Sequence, residues 1–367
     1  MRIAQLMFAR KFGGAERSFV DLCIELAGRH HQVLAVCQPR SAAARALAGV
    51  PGVATALVRT RGWWDPIAAF QLARTLRRFA PQVVHAHLAR ASHLGGKAAR
   101  RLPAPLVVKT HDYVDLKYYA NVDFFVATTA RQRRHLEQEG VDPRGIAVIP
   151  NFSRFEAVPA RRPDPGRVPR LLGFGRLVPK KGYDLLLQAL AGLHRRGCRA
   201  TLLLAGEGPE RAALERLSRA LGVAAHVEFA GWCEDVGALL GDADLFVLPS
   251  RREPFGIAVL EAMAAGVPIV ATRTDGPSEV LDEATAFLAA PDSVASLEQT
   301  LHRALIEVDE RMQRAQRAAR RYLEHYCAAQ VVPQYLALYE RLHADAAGPH
   351  VLRAADHGAS ARARRPG

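Results

Sequence analysis

The sequence predicts an α/β fold of two parallel-sheet domains, and three observations carry that prediction. Short apolar runs alternate with segments of helical period along the chain, the pattern of βαβ units. At 367 residues there is enough chain for two cores. Between 150 and 169 the alternation breaks at Pro159, Pro163, Pro165 and Gly166 amid a cluster of arginines, the composition of a linker.

In the first half, strands are expected at 2–8, 32–37, 54–58, 83–86, 106–110, 124–127 and 147–149. A helix follows Gly13-Gly14, with Phe19, Leu22, Cys23 and Leu26 at helical spacing. A second helix, 66–79, puts Ile67, Phe70, Ala73 and Leu76 on its apolar face. In the second half, strands are expected at 171–175, 201–205, 227–229, 245–249 and 269–272. Gly197, Gly222 and Gly266 close the intervening helices, where glycine takes the left-handed conformation. A charged helix is expected over 296–326 and a further one over 332–343. The domain plan is therefore 1–155, a linker at 156–169, a second domain at 170–325, a helix within 326–345 packing back on the first domain, and a disordered tail at 346–367.

Hydrophobic residues make up 49% and charged residues 23% of the chain, an ordinary globular balance. No apolar run reaches the ~20 residues of a membrane span. Residues 1–9 read as a first strand rather than a signal peptide, so the expected location is the cytoplasm. Cys23, Cys37, Cys198, Cys233 and Cys327 offer no CxxC pair and read as reduced thiols.

Charge is uneven. Residues 1–155 hold 23 Lys and Arg against 10 Asp and Glu, while 156–367 hold 27 against 26. A positive field confined to the first half suggests an anionic partner there: nucleic acid, an anionic membrane, or an acidic acceptor molecule. An Arg-rich composition with no partner explains the same count.

The segment EPFGIAVLE, 253–261, follows a buried strand and enters a helix near Gly256. Open parallel sheets bind ligands at strand carboxyl ends, and a helix start offers unpaired N–H groups and a positive dipole end. The amides near Phe255-Gly256 suit a phosphate. Glu253 reaches a ligand from the loop, and Glu261 accepts from vicinal hydroxyls. The residues alone also permit a solvated loop charge and a solvated helix residue. In GFGRLVPKKG, 173–182, a strand ends in small residues before Arg176, Lys180 and Lys181, an anion cradle that lacks the P-loop pattern. In GEGP, 206–209, Gly206 and Gly208 permit close approach of a flat ring or ribose, or simply a tight turn. Asp242-Ala243-Asp244 has DxD spacing but precedes a buried strand, at the wrong end for a metal-bound diphosphate.

Together these segments resemble the GT-B glycosyltransferases of family 4, the glycosyl transferases group 1 domain. Glu253 and Glu261 match that family's EX7E motif, GFGRLVPKKG its phosphate-binding loop, GEGP its Gly-x-Gly-Pro turn, and Gly13-Gly14-Ala15-Glu16 its N-terminal GGxE loop. The resemblance spans about residues 1–340. It implies two Rossmann-like domains with parallel sheets facing each other across a cleft, closing about a hinge near 150–169. It implies retaining transfer from a nucleotide sugar, with UDP the expected base, to a cell-envelope glycan or glycolipid such as lipopolysaccharide core.

The roles it implies are specific. Glu261 binds the ribose. Glu253, with the backbone of Phe255, Gly256 and Ile257, contacts the transferred sugar. Arg176 and Lys181 neutralise the diphosphate, Gly206 and Glu207 line the nucleotide, and Gly13 and Gly14 close over the phosphates. His111, at a strand end, takes the place of the active-site His, though a lone histidine is as readily structural. No cofactor or metal is expected, because cations and a helix dipole serve instead. His85 and His87, two apart on one strand face, read as acceptor-side cleft groups rather than a metal pair.

The basic first half fits an anionic acceptor and a peripheral contact with an anionic membrane on its inner face, with Trp63-Trp64 among Arg59, Arg61, Arg74, Arg77 and Arg78 at the interface. A core-packed βα unit with a solvated arginine face is the competing reading for that helix. The competing functions are an epimerase-like sugar-nucleotide enzyme of the same fold and a non-catalytic sugar-nucleotide or anionic-lipid binding protein. Nucleic acid is not expected, since no aromatic platform or known module is present.

Overall fold

The computed structural model describes residues 1–347 except Trp63, Arg101, Ala120, Pro165 and Glu234, together with the side chain of Ala347. The tail expected to be disordered, from 348 on, and Trp63 of the Trp pair therefore lie outside the described residues. The chain divides into two compact units, 1–151 with 328–367, and 152–327.

The first unit carries β1 (Arg2–Met7), α1 (Gly14–Gly28), β2 (Gln32–Cys37), α2 (Ala42–Ala46), β3 (Val53–Leu57), α3 (Pro66–Phe79), β4 (Val83–His87), α4 (Leu88–Ala99), β5 (Leu106–Lys109), β6 (Phe124–Ala127), α5 (Ala130–Gln138) and β7 (Ile146–Val148). The second carries β8 (Arg170–Phe174), α6 (Tyr183–Arg195), β9 (Thr201–Ala205), α7 (Arg211–Ala220), β10 (Val227–Gly231), α8 (Val236–Gly241), β11 (Leu245–Leu248), α9 (Ile257–Ala264), β12 (Ile269–Thr272), α10 (Pro277–Val280), β13 (Phe287–Ala289), α11 (Val294–Ile306) and α12 (Val308–His325). Helix α13 (Ala328–Ala347) belongs to the first unit.

The sheet orders are β3-β2-β1-β4-β5-β6-β7 and β10-β9-β8-β11-β12-β13, with every pairing parallel. Both sheets grow outward in two directions from their first strand, the doubly wound order that leaves a switch point beside it. Central strands covered on both faces must be apolar throughout, and β4, β5, β6, β11 and β12 are buried along their whole length. Helix α9 is as apolar as a strand, with Val259, Leu260, Ala262, Met263 and Ala264 all buried. Truncating Leu260 to Ala would cost about 2–5 kcal/mol.

Four elements differ from expectation. The stretch 156–169 packs on the second unit: Val158 N–H donates to the Ala264 carbonyl at 2.8 Å. The charged helix is two, broken at Glu307, whose ψ of 64° is non-helical. Helix α3 buries Ala68, Leu72 and Leu76, which leaves Ile67 and Phe70 exposed at 65% and 66%. The last helix starts four residues early, with Pro333 inside it.

Helix N-termini fall into two groups. Helices α2, α3, α5, α8 and α11 are capped by the side chains of Ser41, Asp65, Thr129, Asp235 and Ser293. Helices α1, α4, α6, α7, α9, α10 and α12 begin without a side-chain cap. An uncapped start leaves its first amides for another acceptor, water or a bound anion.

Candidate active site

In the second unit, four loops meet at the carboxyl ends of β8, β9, β11 and β12. The first two are laced together by backbone. Gly175 N–H donates to the Ala205 carbonyl at 2.9 Å, Leu177 N–H to Glu207 at 3.0 Å, and Glu210 N–H to Leu177 at 3.1 Å. Gly206, at φ 141°, is required here: a Cβ would lie 1.9 Å from the Gly175 carbonyl oxygen. The close approach expected of Gly206 and Gly208 is thus to the neighbouring loop. The Glu207 carboxylate, in the loop, pairs with Arg211, the first residue of α7.

The loop after β11 is braced from both sides. Arg251 donates to both carboxylate oxygens of Asp184 at 2.7 Å, to Asp292 at 2.7 Å and to the Pro179 carbonyl at 3.0 Å. This ties it to the turn 179–181 that carries Lys181. Those carboxylates raise the Arg251 pKa further above its ordinary value. On the other side, Gly276 N–H donates to the Glu253 carbonyl at 2.9 Å. Phe255 is buried in the core of the second unit.

Within this frame Lys181 Nζ meets Glu253 Oε2 at 2.5 Å, and Ser250 Oγ lies 3.4 Å from the same oxygen. Glu253 and Glu261 are both buried, at 8% and 4% exposure, which sets aside the solvated alternatives. Gly256 begins α9 at φ 89°, a conformation closed to most residues. The Tyr183 hydroxyl is buried and has no hydrogen-bond partner among the described residues. Burial and then Glu253 raise its pKa, so it is a neutral donor. Arg176 is exposed. The structure thus gathers Lys181, Glu253, Phe255, Gly256 and Ile257 around the uncapped start of α9, with Glu261 on its second turn. Asp242 and Asp244 are structural: Asp242 pairs with Arg167 and Arg170, and Asp244 accepts from the Arg170 amide at 2.8 Å. Among the described residues no group of three or more His, Cys, Asp or Glu is placed to hold a metal.

The first unit holds Gly13, Gly14 and His111. Gly13 is extended at the uncapped start of α1. His111 lines a cavity of about 650 Å³ with Arg10, Lys11, Glu16, His87 and Arg90. Leu88, in the cavity wall, sits at φ 67°, which costs a non-glycine residue about 1–2 kcal/mol. His85 and His87 depart from expectation. Both are fully buried, because β4 lies mid-sheet beneath α13. His85 bonds Tyr339 of α13 at 2.6 Å, and only His87 reaches the cavity wall. Burial lowers the pKa of His85, His87 and His111, leaving neutral rings. Lys109 is also buried, and burial lowers its pKa to about 7 against a raising influence from Asp21. Its Nζ donates to Ser18 Oγ at 2.9 Å, which donates to Asn151 at 3.1 Å.

Such a paired-sheet chain, with cations and a helix start converging on one strand-end site, has the form of an enzyme that handles anionic, sugar-bearing substrates. The chain belongs to the group 1, family 4 glycosyltransferases. The glycosyl transferases group 1 family matches residues 156–322 and glycosyltransferase family 4 matches 12–153. It is 34% identical over 284 residues to the lipopolysaccharide core biosynthesis glycosyltransferase LpsE of Rhizobium meliloti, covering 76% of this chain and 80% of that one. To LpsD of the same organism it is 32% identical over 77% and 81%. Among solved structures, Anabaena HepE in complex with UDP-glucose superposes with a TM-score of 0.81 at 20% identity, over 93% of this chain and all of that one. WaaG, a glycosyltransferase involved in lipopolysaccharide biosynthesis, gives 0.69 at 20% over 92% and 99%. The fold is GT-B, with two Rossmann-like domains, and the chain is a glycosyltransferase. No helix among the described residues is long and apolar enough to cross a membrane.

Proposed function

We propose that this glycosyltransferase moves a sugar from a UDP-sugar to a cell-envelope glycan, such as lipopolysaccharide core, with retention at the anomeric carbon. The observation that carries the donor reading is the Lys181–Glu253 pair beside the uncapped start of α9. The named relatives LpsE and LpsD, and the UDP complexes of HepE, support the acceptor class and the base.

In this reading Lys181, Arg176 and the amides of Phe255, Gly256 and Ile257 take the diphosphate, Glu261 the ribose hydroxyls, and Gly206 and Glu207 the nucleoside side. Gly13, Gly14 and His111 of the first domain take the donor-contacting roles that the family pattern assigns them, and Glu253 contacts the transferred sugar. The bond from the anomeric carbon to the diphosphate oxygen breaks, and its electrons leave with UDP. The acceptor hydroxyl oxygen bonds the same carbon on the same face, and its proton passes to the departing phosphate oxygen. Fixed cations aimed at that oxygen stabilise the charge as it develops.

The enzyme works at the inner face of the cytoplasmic membrane. Trp64, Ile67 and Phe70 are 80%, 65% and 66% exposed in the first domain, whose sequence holds the chain's positive excess. Three exposed large apolar side chains beside arginines suit an anionic bilayer surface.

A thermal-shift series with UDP-, GDP- and ADP-sugars tests the donor, since a ligand bound to the native state raises apparent stability. UDP-sugars are expected to shift the transition most, and a larger shift with GDP-sugars would replace the base. An inverted product would overturn retention.

A further inference from the structure

We propose that Gln5 and Tyr339 are positioning residues that fix which ring nitrogen of His111 carries its proton. Four side chains form one chain of hydrogen bonds through the interior of the first unit. Gln5 Nε2 donates to the Tyr339 hydroxyl at 3.3 Å, and Gln5 Oε1 lies 3.0 Å from His87 Nε2. His87 Nδ1 then lies 3.1 Å from His111 Nε2, at the cavity. Tyr339 also reaches His85 Nδ1 at 2.6 Å.

With the Gln5 amide turned so that Nε2 faces Tyr339, proton counting gives the rest. An amide oxygen only accepts, so His87 carries its proton on Nε2. A neutral imidazole has one N–H, so His87 Nδ1 is bare and accepts. His111 must therefore hold its proton on Nε2, and its Nδ1 is left as an acceptor for a ligand. The Tyr339 hydroxyl accepts from Gln5, and with a second lone pair and one proton it can bond His85 Nδ1 in either direction.

Only one other ordering satisfies the links from Gln5 through His87 to His111. Turning the Gln5 amide over makes Nε2 donate to His87, which moves the His87 proton to Nδ1 and the His111 proton to Nδ1. His111 would then present a donor. The two orderings share every heavy-atom position in the rings and differ only in polarity. A sugar hydroxyl meets a hydrogen-bond acceptor in one and a donor in the other. The orientation of the Gln5 amide on β1, bonded to Tyr339 of α13, thus selects the chemistry of a residue neither touches. Phe19, edge-on to His87 at 5.3 Å, leaves that ring no third polar partner in this network.

The consequence for transfer rests on the donor reading above; the tautomer does not. The experiment is nitrogen-15 NMR of the histidine rings in the full chain without ligand at neutral pH, with His111 signals assigned by their loss in H111Q. Wild type is expected to show Nε2 protonated and Nδ1 bare. Gln5→Leu and Tyr339→Phe, the latter keeping the buried ring, are expected to bring the two nitrogen shifts together as tautomers mix. Gln5→Glu, whose ionised carboxylate only accepts from His87, is expected to restore the wild-type pattern at a pH where it is ionised. A His111 protonated at Nδ1 in wild type, or one unchanged in folded Q5L and Y339F, overturns the proposal. A general hydrogen-bonding role for Gln5 would not give opposite outcomes for Leu and Glu. Activity follows separately: Y339F is expected to lower kcat at least about tenfold with KM for a UDP-sugar nearly unchanged. If tautomers shift as expected in a chain that binds no UDP-sugar, the donor reading fails and the wiring stands.

Discussion

Lys181 Nζ lies 2.5 Å from Glu253 Oε2, so the cation expected at the diphosphate and the carboxylate expected at the sugar neutralise each other in the unliganded site. Their side chains are only 17% and 10% exposed. Removing one leaves the other buried and unpaired. Lys181→Ala is expected to destabilise the chain by about 1–3 kcal/mol. It is also expected to lower kcat/KM about 10²-fold. The double variant K181A/E253A should recover most of the stability and none of the activity. Denaturant titration of the four proteins closes the cycle; a double variant as unstable as the sum of the singles would show that the pair is not coupled.

Arg251 and Asp184 hold the Lys181 turn against the Glu253 loop without belonging to the expected donor set. Asp184→Asn keeps the shape and removes the charge. It is expected to raise KM for the donor severalfold while kcat changes little, because the turn loosens before the chemistry is touched. Burial raises the Asp184 pKa, the Arg251 hydrogen bonds outweigh it, and the net shift is downward. A depressed carboxylate stabilises the fold above its unfolded pKa and ceases to as pH falls through the folded value. With a third of each side chain exposed, the contribution is about 1 kcal/mol. Wild type should lose that margin over D184N below about pH 4, and an unchanged gap between the two melting curves there would refute the assignment.

The segments proposed for the donor were legible as strand–loop–helix units because each is contiguous in the sequence. What bound those segments together was not. Arg251 and Asp184 are 67 positions apart, and either one alone reads as a solvated charge. Gln5, His85, His87 and Tyr339 were equally hidden: two histidines on one strand face suggest an exposed polar patch until α13, from the far end of the sequence, is laid over them. Strand β13 has three residues, too few for any periodicity. Helix α4 carries Gly95-Gly96 within it, and Gly95 lets the helix approach Leu6, whose Cδ1 would stand 3.0 Å from a Cβ there. Ile67 and Phe70 fit an apolar stripe by spacing, yet the Ala68, Leu72 and Leu76 stripe is the one that packs.

Lys109 makes stability rise with pH, the direction opposite to that of a lysine paired with a carboxylate. Its folded pKa, about 7, lies below the ordinary lysine value of 10.5. The unfolded chain therefore binds more protons between those values, and stability rises with pH through that window. Below pH 7 both states are protonated and the full penalty of a buried ammonium is present. Lys109→Met removes the group while keeping its length. Relative to K109M, wild type is expected to gain up to about 2–3 kcal/mol between pH 7 and 9. Equal slopes for the two proteins over that range would show that Lys109 does not titrate there.

Along α3, Ile67, Phe70, Arg74 and Arg77 recur three and four residues apart, so one exposed stripe changes from apolar to basic. Trp64 precedes it, with Lys97 Nζ 4.1 Å from its ring centroid. Apolar insertion and attraction to anionic headgroups are separable on such a surface. Trp64→Ser, Ile67→Ser and Phe70→Ser together should leave stability within about 0.5 kcal/mol, since all three are exposed. The triple variant should lower partition onto anionic vesicles at least about tenfold at any salt. Arg74→Gln with Arg77→Gln should act mainly at low salt, where the Debye length exceeds about 10 Å. Sedimentation with vesicles of neutral and of anionic lipid reads both effects. Equal binding of wild type to the two lipids would remove the electrostatic part of the contact. Undiminished binding of the triple variant to anionic vesicles would remove this face of α3 from it.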